Sequence, residues 1–446
     1  MRPTRILLFL FIAVYFVFFT WSALWNGFAP DDMHNLDKYW VAGPQAVWKA
    51  NLTFWSSFYR PAGGAWYLAI YSLAHMSPLP YRLGCLLLVA LNLWLAFRVC
   101  RIVGMDAETA SLAVGLSCFH AAMLPIYNSN STIYDILCFL FYYAAFLWYV
   151  KHRPMGGWQM AVFLLLYVAA LNAKEMAVTL PLFVLLWELA HGRRGIRDLA
   201  PALAAGLLTL VYIYGKMTGP DSLSDMAAYH PTITLHAFLA TARNHMKLMF
   251  YTDRFFSTAK VLGLWVLMPL AAWLLRSRIL ALLAAFAILS FLPVAFLPPR
   301  EGFVMYMPLL WWSAYAALLL MELRRRYAER VPAWTLAILI PLAIAPVHWS
   351  HAEHDRPFLL HALERTNGAL DGFRALSVPV ARGSCLLIRD SPFGQDWDAY
   401  FMAKLWFNDH ALRVALQDGS DAPRGDTCES YDRVLEFRDG TLTVLK

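Results

Sequence analysis

The sequence predicts an all-α, polytopic membrane protein of about eleven transmembrane helices, with a small α/β domain at its C-terminal end. Three observations predict it. First, 60% of the 446 residues are hydrophobic, only 15% are charged, and the mean hydropathy is +0.49, which excludes an ordinary soluble protein. Second, the apolar residues gather in runs long enough to cross about 30 Å of hydrocarbon as helices. Third, residues 383–446 abandon that pattern for short strand-like and helix-like stretches separated by turn residues.

The apolar runs lie near residues 6–26, 83–101, 107–126, 131–150, 157–172, 175–190, 198–215, 260–275, 279–297, 303–321 and 332–349. With the N-terminus in the cytoplasm, Arg2, Arg5, Arg98, Arg101, Lys151, Arg153, Arg193, Arg194, Arg197, Arg276, Arg278, Arg324, Arg325, Arg326 and Arg330 all fall on the inner side. Every short basic loop then obeys the positive-inside rule. The net charge of +7 is thus explained by topology, and no nucleic-acid partner is implied. The stretch 66–76 is also apolar, but counting it as a span would invert every later loop, so it reads as a re-entrant or interfacial helix. Residues 1–26 imitate a signal peptide, yet no small-residue cleavage site follows and Trp21 and Trp25 suit a membrane interface. An uncleaved first span is expected.

This topology gives a transmembrane domain over 1–350 with a first outer loop at 27–82, a linker or juxtamembrane helix at 351–382, and an extracytoplasmic α/β domain at 383–446. In the tail, CLLIRD reads as a strand, 397–407 as a helix, LRVAL as a strand, and VLEFRDGTLTVL as a hairpin turning at Asp439-Gly440. Cys385 and Cys428 lie in polar sequence and could pair in an oxidising compartment. Cys85, Cys100, Cys118 and Cys138 sit in or beside apolar runs without CxxC spacing and are expected to pack in the core.

The outer ends of the spans collect Asp31, Asp32, Arg60, Asp135, Lys174, Glu175, Arg300 and Glu301, with His34, Tyr59, Tyr134 and Tyr306 nearby. All of them fall on one membrane face. Ionisable groups beside a bilayer point to function, and adjacent carboxylates such as Asp31-Asp32 raise each other's pKa toward proton acceptance; the plainer reading is a solvated loop that caps a helix. A carboxylate can deprotonate an acceptor while Lys and Arg stabilise a phosphate leaving group. No nucleotide sugar is available outside the cytoplasm, so the donor would be a sugar carried on a polyprenyl phosphate. Arg60 and Lys174 are the first choices for the donor phosphate, with Arg300 third. Against this, Lys174-Glu175 can be a snorkelling pair at a span end, and Arg300-Glu301 after Pro298-Pro299 an ordinary loop.

His348, His351 and His354 recur every three residues but lack an H-E-x-x-H pattern, so a juxtamembrane helix facing water is expected rather than a metal site. The chemistry needs no cofactor, and a divalent cation stays compatible with it. The sequons at Asn51 and Asn130 matter only in a eukaryotic secretory route.

Ala29-Pro30-Asp31-Asp32, Tyr59-Arg60-Pro61 before an apolar helix, Ala173-Lys174-Glu175 before a span containing Leu180-Pro181, and Tyr306-Met307-Pro308 together carry a resemblance. Over most of 1–350 the chain resembles the GT-C superfamily of integral-membrane glycosyltransferases, notably protein O-mannosyltransferases, aminoarabinose-transferase-like enzymes and tetratricopeptide-bearing O-mannosyltransferases. The resemblance implies an inverting transfer of a hexose or pentose from a polyprenyl- or dolichyl-phosphate monosaccharide, with Asp31 or Asp32 as base and Lys174 near the donor phosphate. Two departures stand out. Arg300 is displaced from the family's position before Tyr-x-Pro, and an α/β tail replaces the tetratricopeptide array. The acceptor is left open among an envelope glycan, lipid A or another glycolipid, and a protein.

The expected partners are the lipid-linked donor, that acceptor and membrane lipids, in a bacterial inner membrane with the C-terminal domain outside. Three other readings compete. A transporter or flippase would show internal repeats and midplane charges. An O-antigen ligase or polymerase would work through a late loop, here 217–260 with His230, His236, Arg243, His245 and Arg254. A lipid-binding scaffold would tolerate loss of the first-loop acids.

Overall fold

Residues 3–192, 195–219, 222, 229–252, 256–376, 379–438 and 441–446 are described by the computed structural model. Arg2, Arg193, Arg194, Arg254 and the turn at Asp439-Gly440 lie outside the described residues. The helices are α1 (Pro3–Thr20), α2 (Pro30–Leu52), α3 (Pro61–Ala74), α4 (Pro78–Ile102), α5 (Ala107–Cys118), α6 (Leu124–Asn128), α7 (Ile133–Lys151) and α8 (Gly157–Ala173). They continue with α9 (Leu180–Ala190), α10 (Ile196–Met217), α11 (Leu235–Phe250), α12 (Thr258–Leu274), α13 (Arg278–Leu289), α14 (Tyr306–Tyr327), α15 (Ala333–Ala375) and α16 (Asp398–Phe407).

Each apolar run contains a helix, although the run 279–297 leaves α13 at Leu289 for turns and one short 3-10 segment, and the protein is a polytopic integral membrane protein. Among the described residues, six helical stretches are each long and apolar enough to cross a membrane: Pro3–Trp25, Pro78–Ile102, Asn130–Lys151, Ile196–Met217, Gly302–Tyr327 and Ala333–Ala375. The pair Ala107–Cys118 and Ala121–Asn128, bent by 62°, makes a seventh; Gly157–Ala173, Thr258–Leu274 and Arg278–Val294 are apolar and shorter. Two helices are new relative to the sequence pattern, α2 in the first outer segment and α11 in the 217–260 segment. A left-handed residue, Gly43 (φ 80°), interrupts α2 just before Pro44; a proline disfavours the helical conformation in the residue before it, and glycine has no Cβ to forbid this escape. The 66–76 stretch lies mostly within α3, which at 14 residues is short for a span and packs on α2 and α8.

The same helices carry opposite chemistry at their two ends. Asp135 opens α7 and Lys151 closes it; Lys174 follows α8, whose start lies beside Arg153; α14 ends in Arg324, Arg325 and Arg326. Those arginines tie the basic ends together, Arg325 donating to Asp106 at 2.5 Å and Arg326 to the Leu275 carbonyl at 2.8 Å.

The tail forms a sheet of β1 (Cys385–Arg389), β2 (Arg413–Gln417), β3 (Arg424–Gly425), β4 (Arg433–Arg438) and β5 (Thr441–Val444), in the order β3-β2-β1-β4-β5. Central β1 runs parallel to β2 and β4, and the edge strands are antiparallel. Helix α16 supplies the crossover that a parallel β1–β2 pair requires, and Cys385 is disulfide-bonded to Cys428. The other four cysteines are free and buried.

Helix α15 runs 43 residues without a break, despite Pro341, Pro346 and Pro357, from the apolar segment to the sheet, where it packs on β5. Its Asn367 brackets the backbone of Phe28, accepting from the N–H at 3.0 Å and donating to the carbonyl at 3.2 Å. Helix α16 lies on α2: Trp40 stacks on His410 at 3.6 Å and donates to Asn408 at 3.2 Å, while Tyr71 donates to the Leu405 carbonyl at 2.8 Å.

Candidate functional site

The site begins with the first turn of α2. Pro30 occupies the first helical position, where its missing N–H costs nothing. Asp32, two residues on, reaches back to accept the Ala29 N–H at 2.8 Å. It also accepts from the Tyr67 hydroxyl at 2.7 Å and from Asn130 Nδ2 at 3.3 Å, and is fully buried. Burial pushes its pKa up to about 6, against the lowering effect of those hydrogen bonds. Consecutive residues on a helix point about 100° apart. Asp31 is accordingly exposed and lines a cavity that Asp32 does not reach. Below Asp32, the buried Arg82 donates to Asn130 Oδ1 at 3.0 Å and to the carbonyls of Ala23 and Tyr127 at 3.2 and 2.5 Å.

The cavity is about 420 Å³. Asp31, Tyr59, Arg60, Tyr134, Asp135, Lys174, Glu175, Arg300 and Glu301 all border it. Arg60 takes a left-handed conformation (φ 40°) immediately before the helix-starting Pro61, an unusual conformation for a residue with a side chain. Its guanidinium grips Glu175 as a fork, at 3.2 and 2.8 Å, and donates to the Tyr229 hydroxyl at 3.0 Å. It also lies over the rings of Tyr59 and Tyr134, at 4.6 and 5.2 Å. Tyr39 shares a 3.0 Å hydrogen bond with Tyr134 and donates to the Tyr59 carbonyl at 3.0 Å. Gly63 makes this packing possible, because a Cβ there would sit 2.3 Å from the Tyr134 ring.

Lys174 leaves α8 in extended conformation and places Nζ 2.6 and 2.7 Å from the two oxygens of Asp135, with the Phe303 ring 4.8 Å away. Arg300 lies over the Tyr229 ring at 4.4 Å. The segment around it approaches closely because residue 302 is glycine: a Cβ would fall 1.8 Å from the Ala122 carbonyl oxygen. The rest of that side is apolar, with Pro293, Val294, Leu297, Phe303 and Val304, completed by Phe358, Leu359, Ala362 and Leu363 of α15.

Three expected site residues lie elsewhere. Asp32 is walled in by its hydrogen bonds. Tyr306 is buried in the body, where its hydroxyl accepts from Asn92 at 3.1 Å and its ring packs on Phe139. His34 stacks on Phe401 at 5.2 Å and borders a second cavity of about 320 Å³ that shares Asp31 with the first. His348, expected to face water, is buried and hydrogen-bonded to Tyr251 at 2.6 Å, because Phe19 of α1, Phe119 and His120 pack around it. No group of three metal-ligating side chains occurs among the described residues. In the 217–260 segment His230, His236, Arg243 and His245 do not border either cavity; His245 is buried against Phe291. Tyr229, Phe303 and the Phe358–Leu363 strip escaped the sequence reading, and Asn130 stood out there only as a sequon.

No protein-family model matches the sequence, and no curated protein matches it. Among solved structures, the chain is similar to ArnT from Cupriavidus metallidurans bound to undecaprenyl phosphate. The TM-score is 0.51 at 12% identity, over 91% of this chain and 85% of that one. The oligosaccharyltransferase of Archaeoglobus fulgidus in the apo form matches with a TM-score of 0.49 at 10% identity, over 94% of this chain; this chain spans 64% of its length. The agreement with ArnT runs through nearly the whole chain, and on that ground the protein shares the fold of that membrane protein.

Proposed function

We propose that this protein is a membrane glycosyltransferase that moves a hexosyl or pentosyl unit, with inversion, from a polyprenyl-phosphate monosaccharide to a hydroxyl of an extracytoplasmic glycan, lipid or protein. One observation carries the reading: Asp31, Arg60, Lys174 and Arg300 border a single cavity whose other side is apolar. Asp31 is the base. Its exposed carboxylate takes the acceptor's hydroxyl proton, the freed oxygen attacks the anomeric carbon, and the sugar–phosphate bond breaks, its electron pair leaving with the polyprenyl phosphate. Lys174 and Arg300 stabilise the charge that develops on that phosphate.

Arg60, its fork occupied by Glu175, supplies positive field and holds the Tyr59–Tyr134 side of the cavity. Asp32 positions Asp31 by fixing the first turn of α2. No metal ion is required by these steps. The apolar side suits a polyprenyl chain, and the undecaprenyl phosphate bound to the similar ArnT supports a donor lipid of that class.

Placing the basic helix ends in the cytoplasm by the positive-inside rule puts the cavity outside, in a bacterial inner membrane. There the Cys385–Cys428 disulfide is at home, with 1–350 as the transferase body and 383–446 as an extracytoplasmic domain. The test is native mass spectrometry of protein purified gently from its own membrane, wild type against Lys174→Ala. A polyprenyl-phosphate sugar adduct on the wild type, absent from the variant, is expected. A bare wild-type chain, even after polyprenyl-phosphate sugars are added, would sink the proposal and favour a transporter or scaffold.

A further inference from the structure

Asp31 borders two cavities, and the second is chemically unlike the first. It lies between the first turn of α2, which contributes Pro30, Asp31 and His34, and the C-terminal domain, which contributes Asp396, Trp397, Asp398 and Phe401. Three carboxylates and two aromatic rings face it, and no Lys or Arg is among its bordering residues.

Asp398 is only 8% exposed, yet among the described residues no other group donates a hydrogen bond to its carboxylate. Burial, followed by the proximity of Asp396 and Asp31, pushes its pKa up to about 6, against the lowering effect of Arg365 and of its own backbone N–H. Its carboxylate opens on the cavity, where a bound group can donate to it. Trp397 stands 42% exposed, with the Arg424 guanidinium 5.2 Å from its ring. An open indole beside hydrogen-bond acceptors is what a pyranose needs: its C–H face packs on the ring and its hydroxyls donate to the carboxylates. The two halves of the cavity are held in register by the Trp40–His410 stack and the Tyr71 hydrogen bond to Leu405.

We infer that this second cavity is the acceptor subsite, that it takes a neutral or amino-bearing sugar unit and turns one hydroxyl toward Asp31, and that it rejects anionic sugars. The inference rests on Asp31 being the base of the proposed transfer. It assigns Trp397 and Asp398 to binding and gives the α/β domain a share in the site.

The experiment uses the full chain in nanodiscs and saturation-transfer NMR titrations with methyl β-glucopyranoside, methyl β-glucosaminide and methyl β-glucuronide. Wild type, Trp397→Ala, Trp397→Phe and Asp398→Asn are compared, and undecaprenyl phosphate binding is followed on the same samples by native mass spectrometry. Saturable signals are expected from the neutral and amino glycosides and at least tenfold weaker binding of the glucuronide. Trp397→Ala should weaken the first two at least tenfold, Trp397→Phe should recover most of that loss, and Asp398→Asn should weaken the amino glycoside most. Undecaprenyl phosphate binding should be the same in all four.

Absence of saturable signals from the neutral and amino glycosides, equal binding by Trp397→Ala, or equal binding of the glucuronide overturns the subsite. Failure of the wild type to bind undecaprenyl phosphate would instead undo the donor reading, while the glycoside titrations still decide the subsite.

Discussion

The two sides of the larger cavity are built differently. On the side formed by the starts of α2, α3 and α7 and the end of α8, the cations are held by named partners, Arg60 by Glu175 and Tyr229 and Lys174 by Asp135, while Asp32 behind the cavity wall is held by Ala29, Tyr67 and Asn130. The facing side of Pro293, Val294, Leu297 and the Phe358–Leu363 strip is apolar, and Phe358 is 88% exposed. In the proposed transfer the difference separates two tasks. Charge stabilisation demands dipoles and ions fixed before the reaction, whereas an alkenyl chain asks only for apolar surface. Changes on the polar side should therefore alter rate or folding steeply, and changes on the apolar side should alter affinity gently.

The largest expected effect tests the division inside the polar side itself. Asp31→Asn removes the proposed base and should lower kcat by about 10²–10⁴-fold with an unchanged Tm, because the helix is capped by Asp32 and Asp31 is exposed. Turnover within tenfold of wild type would break the assignment. Lys174→Met comes next. It strands Asp135 in a buried site and should cost about 3–5 kcal/mol of stability. Adding Asp135→Leu should return most of that, since no unpaired charge remains, yet donor binding should stay lost. A single variant as stable as wild type would mean that this pair is not buried.

Asp32 gives a smaller, pH-dependent effect. Its carboxyl holds its proton more tightly in the folded chain, with a pKa of about 6 against an ordinary 3.8. The associated stability is present below pH 4 and lost as pH rises through 6. A shift of that size corresponds to about 2–3 kcal/mol. Between pH 4 and 7 the curve of Tm against pH should lack one falling contribution in Asp32→Asn, while both proteins keep the falling ones of Asp37 and Asp398, pushed up to about 6 by burial, and the rising ones of His34 and His245, whose pKa burial lowers. Parallel curves would show that Asp32 does not titrate in this window.

Much of this was legible in the sequence, for physical reasons. A bilayer selects long apolar runs, so the helices of the body announce themselves; charges at the ends of those runs mark the face of the cavity; and in the tail, short apolar runs between turn residues marked β1, β2 and the β4–β5 pair. What stayed hidden depends on rotation and pairing. Asp31 and Asp32 are neighbours in sequence, and only the packing of Tyr67 and Asn130 on one side of α2 decides which of them faces the cavity. Which carboxylate would hold which cation, Glu175 with Arg60 and Asp135 with Lys174, joins residues 115 and 39 positions apart. Tyr306-Met307-Pro308 matched a family pattern, but its tyrosine is turned into the body toward Asn92. Nor did the composition of the tail announce that α16 docks on α2, since that contact rests on single residues such as Trp40 and His410.

The gentlest test falls on the apolar side. Phe358 is too exposed to support the fold, so Phe358→Ala should leave Tm unchanged. If the polyprenyl chain lies against it, truncation removes contact area that the ground state and the transition state use alike. Partial loss of such burial is worth about 1 kcal/mol. The expected result is a several-fold rise in KM for the lipid donor with kcat intact, the signature of lost uniform binding. A fall in kcat at constant KM would mean that this strip of α15 helps to orient the reacting sugar, and the two sides would then differ in strength of effect rather than in task.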